Sequence, residues 1–262
     1  MRLLVCPKKR DRGAVIVPRF AVILPAAGAS SRFRDPHYKK PFAPLAGRAV
    51  WLHSLHRFTQ REDVVQIIVA VSPEDREEFL RRFGADIALL NVEVVDGGRE
   101  RVDSVQNALA RMKEEIEFVC IHDAARPCIS DLWIDAVFQK AVETGAAILA
   151  VPVTATLKRV DDSGMIAETQ PREKLWEAQT PQVFRRDWLI EAYQKRGNFV
   201  PTDDAQLLER LGKSVFVVSG SPLNIKITTK DDLRLAEQIL KVLPKPRAAG
   251  PLHPFADDDL WR

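Results

Sequence analysis

The chain has 262 residues, which suits one large α/β domain or two small ones. It is 46% hydrophobic and 29% charged, the balance of a soluble globular protein with a substantial core. Its net charge of +3 is too small to favour a nucleic-acid partner. Three cysteines, Cys6, Cys120 and Cys128, lack metal-ligand spacing and predict a reduced, cytoplasmic protein. No apolar run approaches the roughly 20 residues that cross a membrane, so we expect no membrane association.

The two ends of the chain differ in composition from the rest. Residues 1–19 are basic and patternless, and residues 244–262 are proline-rich and then acidic. Both segments predict tails that add little to a core. The folded domain is therefore expected to span residues 20–243.

Short branched apolar runs alternate with amphipathic runs along this domain. The predicted strands are 20–25, 64–71, 92–95, 118–122, 146–152 and 214–219. The predicted helices are 48–58, 73–83, 104–115 and 131–144. Ser72 is expected to cap the second of these helices. Repeated strand–helix units predict a twisted, mostly parallel sheet that binds ligands at the carboxyl ends of its strands.

Residues 153–180 break this alternation. Two short β-like stretches, TLKRV and MIAETQ, flank the turn DDSG and predict a hairpin. The hairpin is either a surface flap or an arm that pairs with another subunit, since an isolated hairpin is marginally stable in water.

The first predicted strand ends in LPAAGASSRF, residues 24–33. Its small residues let the backbone approach a ligand, and successive N–H groups can cradle a phosphate. Arg32, Lys39 and Lys40 could add positive charge. The sequence matches neither GxGxxG nor GxxxxGKS, so dinucleotide and P-loop sites are disfavoured. A purely structural glycine turn is the alternative.

Two further loops follow predicted strands. In DGGRERVDSVQNAL, Gly97 and Gly98 predict a turn, and Ser104 either caps the following helix or contacts a ligand. After the strand FVCIH, Asp123 and Arg126 either form a local ion pair, or Asp123 meets sugar hydroxyls or a metal ion and Arg126 meets an anionic substrate. His122 is expected to pack or hydrogen-bond within the fold rather than act as a base.

Eight motifs, in order from about residue 20 to residue 242, resemble the 2-C-methyl-D-erythritol 4-phosphate cytidylyltransferase family of the non-mevalonate isoprenoid pathway. They are LPAAGASSR, a lysine before a phenylalanine, GGRERVDSV, HDAARP, PVTATLKR, LWEAQTPQVF, TDDAQLLE and NIKIT. The resemblance implies a Rossmann-like three-layer nucleotidyltransferase fold with a mostly parallel twisted sheet and a protruding β-hairpin arm. It implies cytidylyl transfer from CTP to a sugar-alcohol phosphate with Mg²⁺, and a homodimer formed through the 153–180 arm.

The resemblance also assigns roles to individual positions. The residues that it implies for catalysis are Arg32, Lys40, Arg172 and Lys226. The residues that it implies for substrate binding are Ala26, Ala27, Gly28, Gly98, Ser104, Asp123, Ala124, Arg126, Thr156 and Thr180. Asp123 is also a candidate metal ligand. From the residues alone, Arg172 and Lys226 would be surface charges.

The chain departs from the family where Lys40-Pro41-Phe42 stands for the usual Lys-Gln-aromatic. Either Lys39 or Lys40 could therefore be the key lysine. The same chemistry on ribitol 5-phosphate and a catalytically silent nucleotide-binding regulator are the alternative functions.

Overall fold

A computed structural model describes residues 17–28, 33 and 38–244 of the chain. Both predicted tails lie almost wholly outside the described residues, and so does Arg32. The strands are β1 (Phe20–Pro25), β2 (Pro44–Leu45), β3 (Arg48–Ala49), β4 (Val64–Val71), β5 (Val92–Asp96), β6 (Phe118–Ile121), β7 (Ala146–Pro152), β8 (Leu157–Val160), β9 (Ile166–Gln170), β10 (Trp176–Arg185) and β11 (Phe216–Ser219). The helices are α1 (Val50–Thr59), α2 (Pro73–Leu89), α3 (Arg101–Leu109), α4 (Asp131–Thr144), α5 (Arg186–Gln194), α6 (Ala205–Arg210) and α7 (Lys230–Val242).

Seven strands form the central sheet in the order β11-β7-β10-β6-β1-β4-β5. The pairs of β1 with β4 and β6, of β4 with β5, and of β11 with β7 are parallel. Strand β10 alone runs antiparallel to its neighbours β6 and β7. The predicted mostly parallel sheet is therefore confirmed, with one reversed strand in its interior.

Alternate residues of the strands feed two apolar layers. In β1, Val22 and Leu24 face one layer, and Ala21 and Ile23 face the other. Helices α1, α2 and α4 cover the first layer, and α3, α5 and α6 cover the second. This sandwich explains why the predicted strands are apolar on both faces, and it confirms the three-layer α/β fold.

Strand β10 was missed by the sequence reasoning. Its polar residues and Pro181 argue against a central strand, because proline cannot donate a ladder hydrogen bond. The structure accommodates Pro181 at a register shift between Ala178 and Gln182, where pairing with β7 is interrupted. The interruption turns Thr180 towards the neighbouring loop after β6.

Two predicted caps differ in detail from the structure. Ser72 does precede α2, but its hydroxyl donates to the Asp75 carboxylate instead of capping a backbone N–H. Helix α3 begins at Arg101, and Glu100 and Asp103 form its capping box. The prediction that this helix starts near Ser104 was therefore wrong, and Ser104 is not its cap.

Strands β8 and β9 pair antiparallel around residues 161–165, which confirms the predicted hairpin. The hairpin and the chain that returns from it carry exposed apolar side chains, including Val160, Met165, Ile166 and Trp176. Residues 176–178 already pair with β7, so the last part of the 153–180 segment belongs to the central sheet. No helix in the described part of the chain is long and apolar enough to cross a membrane.

Candidate active site

A pocket lies at the carboxyl ends of β1 and β6, where loops from several crossovers meet. Its described lining residues are Pro25, Ala26, Ala27, Gly28, Lys40, Pro41, Gly98, Arg99, Glu100, Arg101, Ser104, Asp123, Ala125 and Lys226. The parallel strands bring these loops together because their carboxyl ends share one edge of the sheet. This pocket therefore lies at the carboxyl ends of the strands, where the sequence predicts a ligand site.

Two glycines allow close backbone approach here: Gly97 lets the first and second loops touch, and Gly98 lets the second loop lie against the start of helix α3. A Cβ atom at Gly97 would lie 2.3 Å from the Cβ of Ala27, and one at Gly98 would lie 2.3 Å from the Cβ of Asp103. Neither distance is possible between real side chains, so close approach explains both glycines. The backbone N–H of Gly97 also donates to the carbonyl of Val71 at 2.7 Å.

Ser104 is buried in the first turn of α3 and hydrogen-bonds the loop that contains Gly97 and Gly98. Its hydroxyl oxygen accepts a hydrogen bond from the Gly98 N–H at 3.0 Å and donates to the Glu100 carbonyl at 3.2 Å. Ser104 therefore shapes the glycine turn that lines the pocket.

Asp123 is the charged centre of the site. Its Oδ1 accepts from Arg101 Nε at 3.0 Å, and its Oδ2 lies 2.7 Å from Lys226 Nζ and 3.9 Å from Arg126 Nε. Burial alone would raise the pKa of this carboxyl, but the cations, Arg101 first, hold the pKa well below its usual range. Asp123 is therefore a permanent carboxylate with both oxygens engaged.

Arg101 connects this carboxylate to a second one. Its Nη1 donates to Asp204 Oδ2 at 2.6 Å, and Tyr193 donates to Asp204 Oδ1 at 2.5 Å. The two carboxylates hold the pKa of Arg101 above its ordinary value in spite of its burial. The sequence reasoning gave no role to Arg101 or Asp204. The sequence signal that could have pointed to Arg101 is its i, i+3 spacing from Ser104, because both residues lie on one face of a helix that begins at Arg101.

A hydrogen-bonded chain fixes the loop after β6. Thr180 Oγ1 accepts from the Asp123 N–H at 3.0 Å and lies 3.2 Å from His122 Nδ1. His122 Nε2 lies 3.0 Å from the Arg126 carbonyl, so the neutral ring accepts at Nδ1 and donates at Nε2. Burial lowers the pKa of His122 to about 4. The prediction that His122 serves the fold is confirmed.

Arg126 and Ala124 are held by neighbouring segments. Arg126 Nη1 donates to the Asn224 carbonyl at 2.7 Å, while its buried Nε has no hydrogen-bond partner among the described residues. The Ala124 carbonyl accepts from Ser54 at 2.9 Å. The Ile227 N–H donates to the carbonyl of Ala125 at 2.8 Å, which brings the segment that carries Lys226 to the pocket.

The two adjacent lysines have different surroundings. Lys39 Nζ pairs with Asp75 Oδ2 of helix α2 at 2.7 Å and does not line the described pocket. Lys40 begins a short 3₁₀ turn, Lys40–Phe42, and lines the pocket. The geometry therefore favours Lys40 over Lys39 as the site lysine.

Thr156 and Arg172 lie on the exposed hairpin arm, away from the described pocket of their own chain. Arg172 Nη1 donates to the Thr154 carbonyl of the same arm. The predicted site residues that line the pocket are Ala26, Ala27, Gly28, Lys40, Gly98, Ser104, Asp123 and Lys226. Ala124, Arg126 and Thr180 adjoin Asp123 without lining the described pocket, and the two arm residues are not brought to it.

The lining is suited to an anion rather than to a bare metal ion. Four cationic side chains face two carboxylates, so the described lining carries a net charge of +2. No group of three or more His, Cys, Asp or Glu residues that could hold a metal ion occurs among residues 17–28, 33 and 38–244. Asp123, the candidate metal ligand, is already paired through both oxygens.

A three-layer α/β fold with a cationic pocket at the carboxyl ends of its parallel strands is the arrangement that nucleotide-binding enzymes of the Rossmann-like type share. The family model described as 2-C-methyl-D-erythritol 4-phosphate cytidylyltransferase matches residues 20–242. The chain belongs to this family, and it is thus a nucleotidyltransferase.

Relatives agree with this assignment. The cytidylyltransferase of this name from Rhodopirellula baltica is 43% identical over 231 residues, which cover 84% of this chain and 94% of the relative. The chloroplastic protein of the same name from Oryza sativa is 35% identical over 90% of this chain and 80% of its own. The crystal structure of the Francisella tularensis cytidylyltransferase is 32% identical, with a TM-score of 0.69 over 84% of this chain and 99% of that one.

The buried neutral ring of His122 predicts a pH dependence of stability. Since the folded pKa of His122, about 4, lies below its ordinary value of 6.5, the contribution of the neutral ring to stability is complete above pH 6.5 and is lost as the pH falls towards 4. We expect the His122→Gln variant to lose roughly 2–3 kcal/mol less free energy of unfolding than the wild type between about pH 7.5 and pH 4.5. Urea unfolding at several pH values measures this. Equal losses in both proteins would contradict the neutral, buried state of His122.

Proposed function

We propose that the chain transfers a cytidylyl group from CTP to 2-C-methyl-D-erythritol 4-phosphate. The products are 4-diphosphocytidyl-2-C-methyl-D-erythritol and pyrophosphate, and the reaction supplies isoprenoid precursor synthesis. The observation that carries the proposal is the net positive pocket around Asp123, whose lining lies within residues 20–242 that the family model matches. The names of the curated relatives favour this acceptor over ribitol 5-phosphate.

The reaction needs charge compensation more than proton transfer. A phosphate oxygen of the acceptor attacks the α-phosphorus of CTP, the bond to the β-phosphate oxygen breaks, and pyrophosphate leaves with that electron pair. The nucleophile is already anionic, so no general base is needed, and the protein supplies positioning and positive charge. His122 suits no proton-transfer role, since it is buried and both ring nitrogens are engaged.

The nucleotide half of the pocket would be formed by the first two loops. The Ala26–Gly28 turn lines the pocket and would receive the triphosphate, although the Ala26 N–H itself donates to the Ala70 carbonyl at 2.8 Å. Lys40, with Arg32 beyond the described residues, would stabilise charge that builds towards the leaving group. Gly98 and Ser104 shape the wall that would receive the cytidine.

The acceptor half would be formed around Asp123. Its carboxylate would accept from sugar hydroxyls, and Arg126 and Lys226 would meet the acceptor phosphate. Thr180 fixes the backbone of Asp123 and lies beside this half. We further propose that Arg172 and Thr156 reach the acceptor of a partner subunit, because the exposed apolar arm lies away from its own pocket.

Mg²⁺ would enter as part of the nucleotide substrate. The described residues offer no carboxylate cluster to hold the ion by themselves, so its ligands would be mainly the phosphate oxygens. Free buried Cys120 and Cys128 suit a reducing compartment, and we place the enzyme in the cytoplasm.

The proposed activity is tested by pyrophosphate release across four nucleoside triphosphates and both sugar-alcohol phosphates. We expect turnover with CTP and 2-C-methyl-D-erythritol 4-phosphate, because the pocket carries the family's motifs for both. Chelation of Mg²⁺ should stop turnover without changing the melting temperature of the free protein. Faster turnover of ribitol 5-phosphate would reassign the acceptor, and no pyrophosphate with any pair would leave the silent regulator as the function.

The two lysines provide a matched pair of variants. We expect Lys40→Ala to lower kcat at least about 100-fold, because it removes a preorganised cation from the developing charge. Lys39→Ala should change kcat little, since a partly exposed ion pair is worth less than about 1 kcal/mol. Steady-state kinetics at saturating CTP separates them. A slow Lys39 variant beside a normal Lys40 variant would reverse the assignment.

The arm proposal is tested by mixing two inactive variants. In a heterodimer of Arg172→Ala and Lys40→Ala chains, the first chain keeps its own Lys40 and would borrow Arg172 from the second. Random exchange should therefore restore about one quarter of the wild-type activity, as half the dimers gain one complete site. No recovery, with dimer exchange verified by mass, would mean that the arm does not serve the partner's site.

A further inference from the structure

Arg101 is the side chain that joins the two halves of the pocket. It occupies the first position of helix α3, directly after the glycine loop, yet its guanidinium contacts Asp123 on the acceptor side. Its Nε and Nη1 atoms donate to carboxylates from two different segments, at 3.0 and 2.6 Å. A planar guanidinium can make both bonds at once, whereas an ammonium group cannot do so in the same geometry.

The Asp204 end of this bridge is fixed. Asp204 is fully buried, and its other oxygen accepts from Tyr193 at 2.5 Å. Its backbone N–H donates to Gln182 Oε1 of strand β10 at 3.2 Å. Tyr193 and Arg101 thus hold the carboxylate of Asp204, and Gln182 holds its backbone, which makes Asp204 a rigid anchor. A buried charge of this kind is stable only while its partners remain.

The Asp123 end is held differently on each oxygen. Lys226, on Oδ2, has a side chain that is 38% exposed and belongs to the cationic lining that would meet a phosphate. Arg101, on Oδ1, is committed to the anchor. If Lys226 turns to an incoming phosphate, Arg101 remains the cation hydrogen-bonded to the carboxylate, with Arg126 Nε at the longer distance of 3.9 Å from Oδ2.

We propose that Arg101 is a positioning residue that aims the Asp123 carboxylate at the acceptor by clamping it to the Asp204 anchor. The inference rests on the proposed function, because it assumes that Asp123 receives the sugar-alcohol phosphate. The clamp also ties the loop that lines the nucleotide half to the loop that lines the acceptor half.

The test compares Arg101→Gln, Arg101→Lys and Asp204→Asn with a matched control, Arg61→Gln. Arg61 also bridges two carboxylates, Asp63 and Asp135, with a half-buried side chain, but it precedes β4 at the opposite end of the sheet. Each variant is assayed with CTP and 2-C-methyl-D-erythritol 4-phosphate, varying one substrate while the other is saturating, and its melting temperature is recorded.

We expect Arg101→Gln to lower kcat/KM for the acceptor about 10- to 100-fold, while the KM for CTP changes less than about threefold. Arg101→Lys should recover part of this loss, because lysine keeps the positive charge but not the two N–H donors that bond both carboxylates at once. Asp204→Asn should lower kcat/KM for the acceptor as much as Arg101→Gln does. The double variant should have a kcat/KM no more than about twofold below that of the less active single variant. Arg61→Gln should keep wild-type kinetics whatever its melting temperature.

Three results would overturn the clamp. Arg101→Gln with the kinetics of Arg61→Gln would leave Arg101 no part in positioning. Equal losses for CTP and acceptor would make it a direct nucleotide ligand. If the losses of kcat/KM in the double variant multiply, Arg101 and Asp204 act independently and do not form a clamp. If Arg101→Gln does not fold, the comparison of Arg101→Lys with wild type carries the same test. Failure of the proposed function would appear earlier, as a wild-type protein that does not use this acceptor.

Discussion

A buried carboxylate, that of Asp123, determines how the loops of the pocket meet. A charge in a closed site is stable only when it is compensated, and here Arg101 and Lys226 compensate it from two other segments. The loop after β5, the loop after β6 and the segment before α7 must therefore converge on one point. The described pocket lining is net positive because its cationic side chains outnumber its carboxylates.

Backbone packing also brings the loops of the pocket together. Gly97 can lie against Ala27 only without a side chain, and this contact joins the loops after β1 and β5. Thr180 reaches the loop after β6 from a register shift in β10. Electrostatic and steric constraints thus act on the same few loops, which suits a site that works by preorganised charge.

Much of this arrangement could be predicted from the sequence, because parallel strands carry a strong local signal. The runs that became β1, β4 and β7 are apolar on both faces, and the structure keeps their predicted bounds. Strand β10 escaped prediction because Pro181 and its polar neighbours look like loop, and only the bulge makes them compatible with a sheet.

The site residues divide in the same way. Asp123 and Lys40 stand next to strand ends or family motifs, so a local pattern identifies them. The bridge from Arg101 to Asp204 joins residues 103 positions apart, and no local pattern reports such a contact. The role proposed for the arm would depend on a second chain, and a pattern within one chain reveals only that the arm carries exposed apolar side chains.

A crystal structure of the protein with CTP and Mg²⁺ tests the central claim most directly. The account predicts a triphosphate against the Ala26–Gly28 turn within hydrogen-bond distance of Lys40, the ion on phosphate oxygens, and Asp123 still bonded to Arg101. A triphosphate bound elsewhere, or an Asp123 carboxylate that has left Arg101 to coordinate the ion, would contradict it.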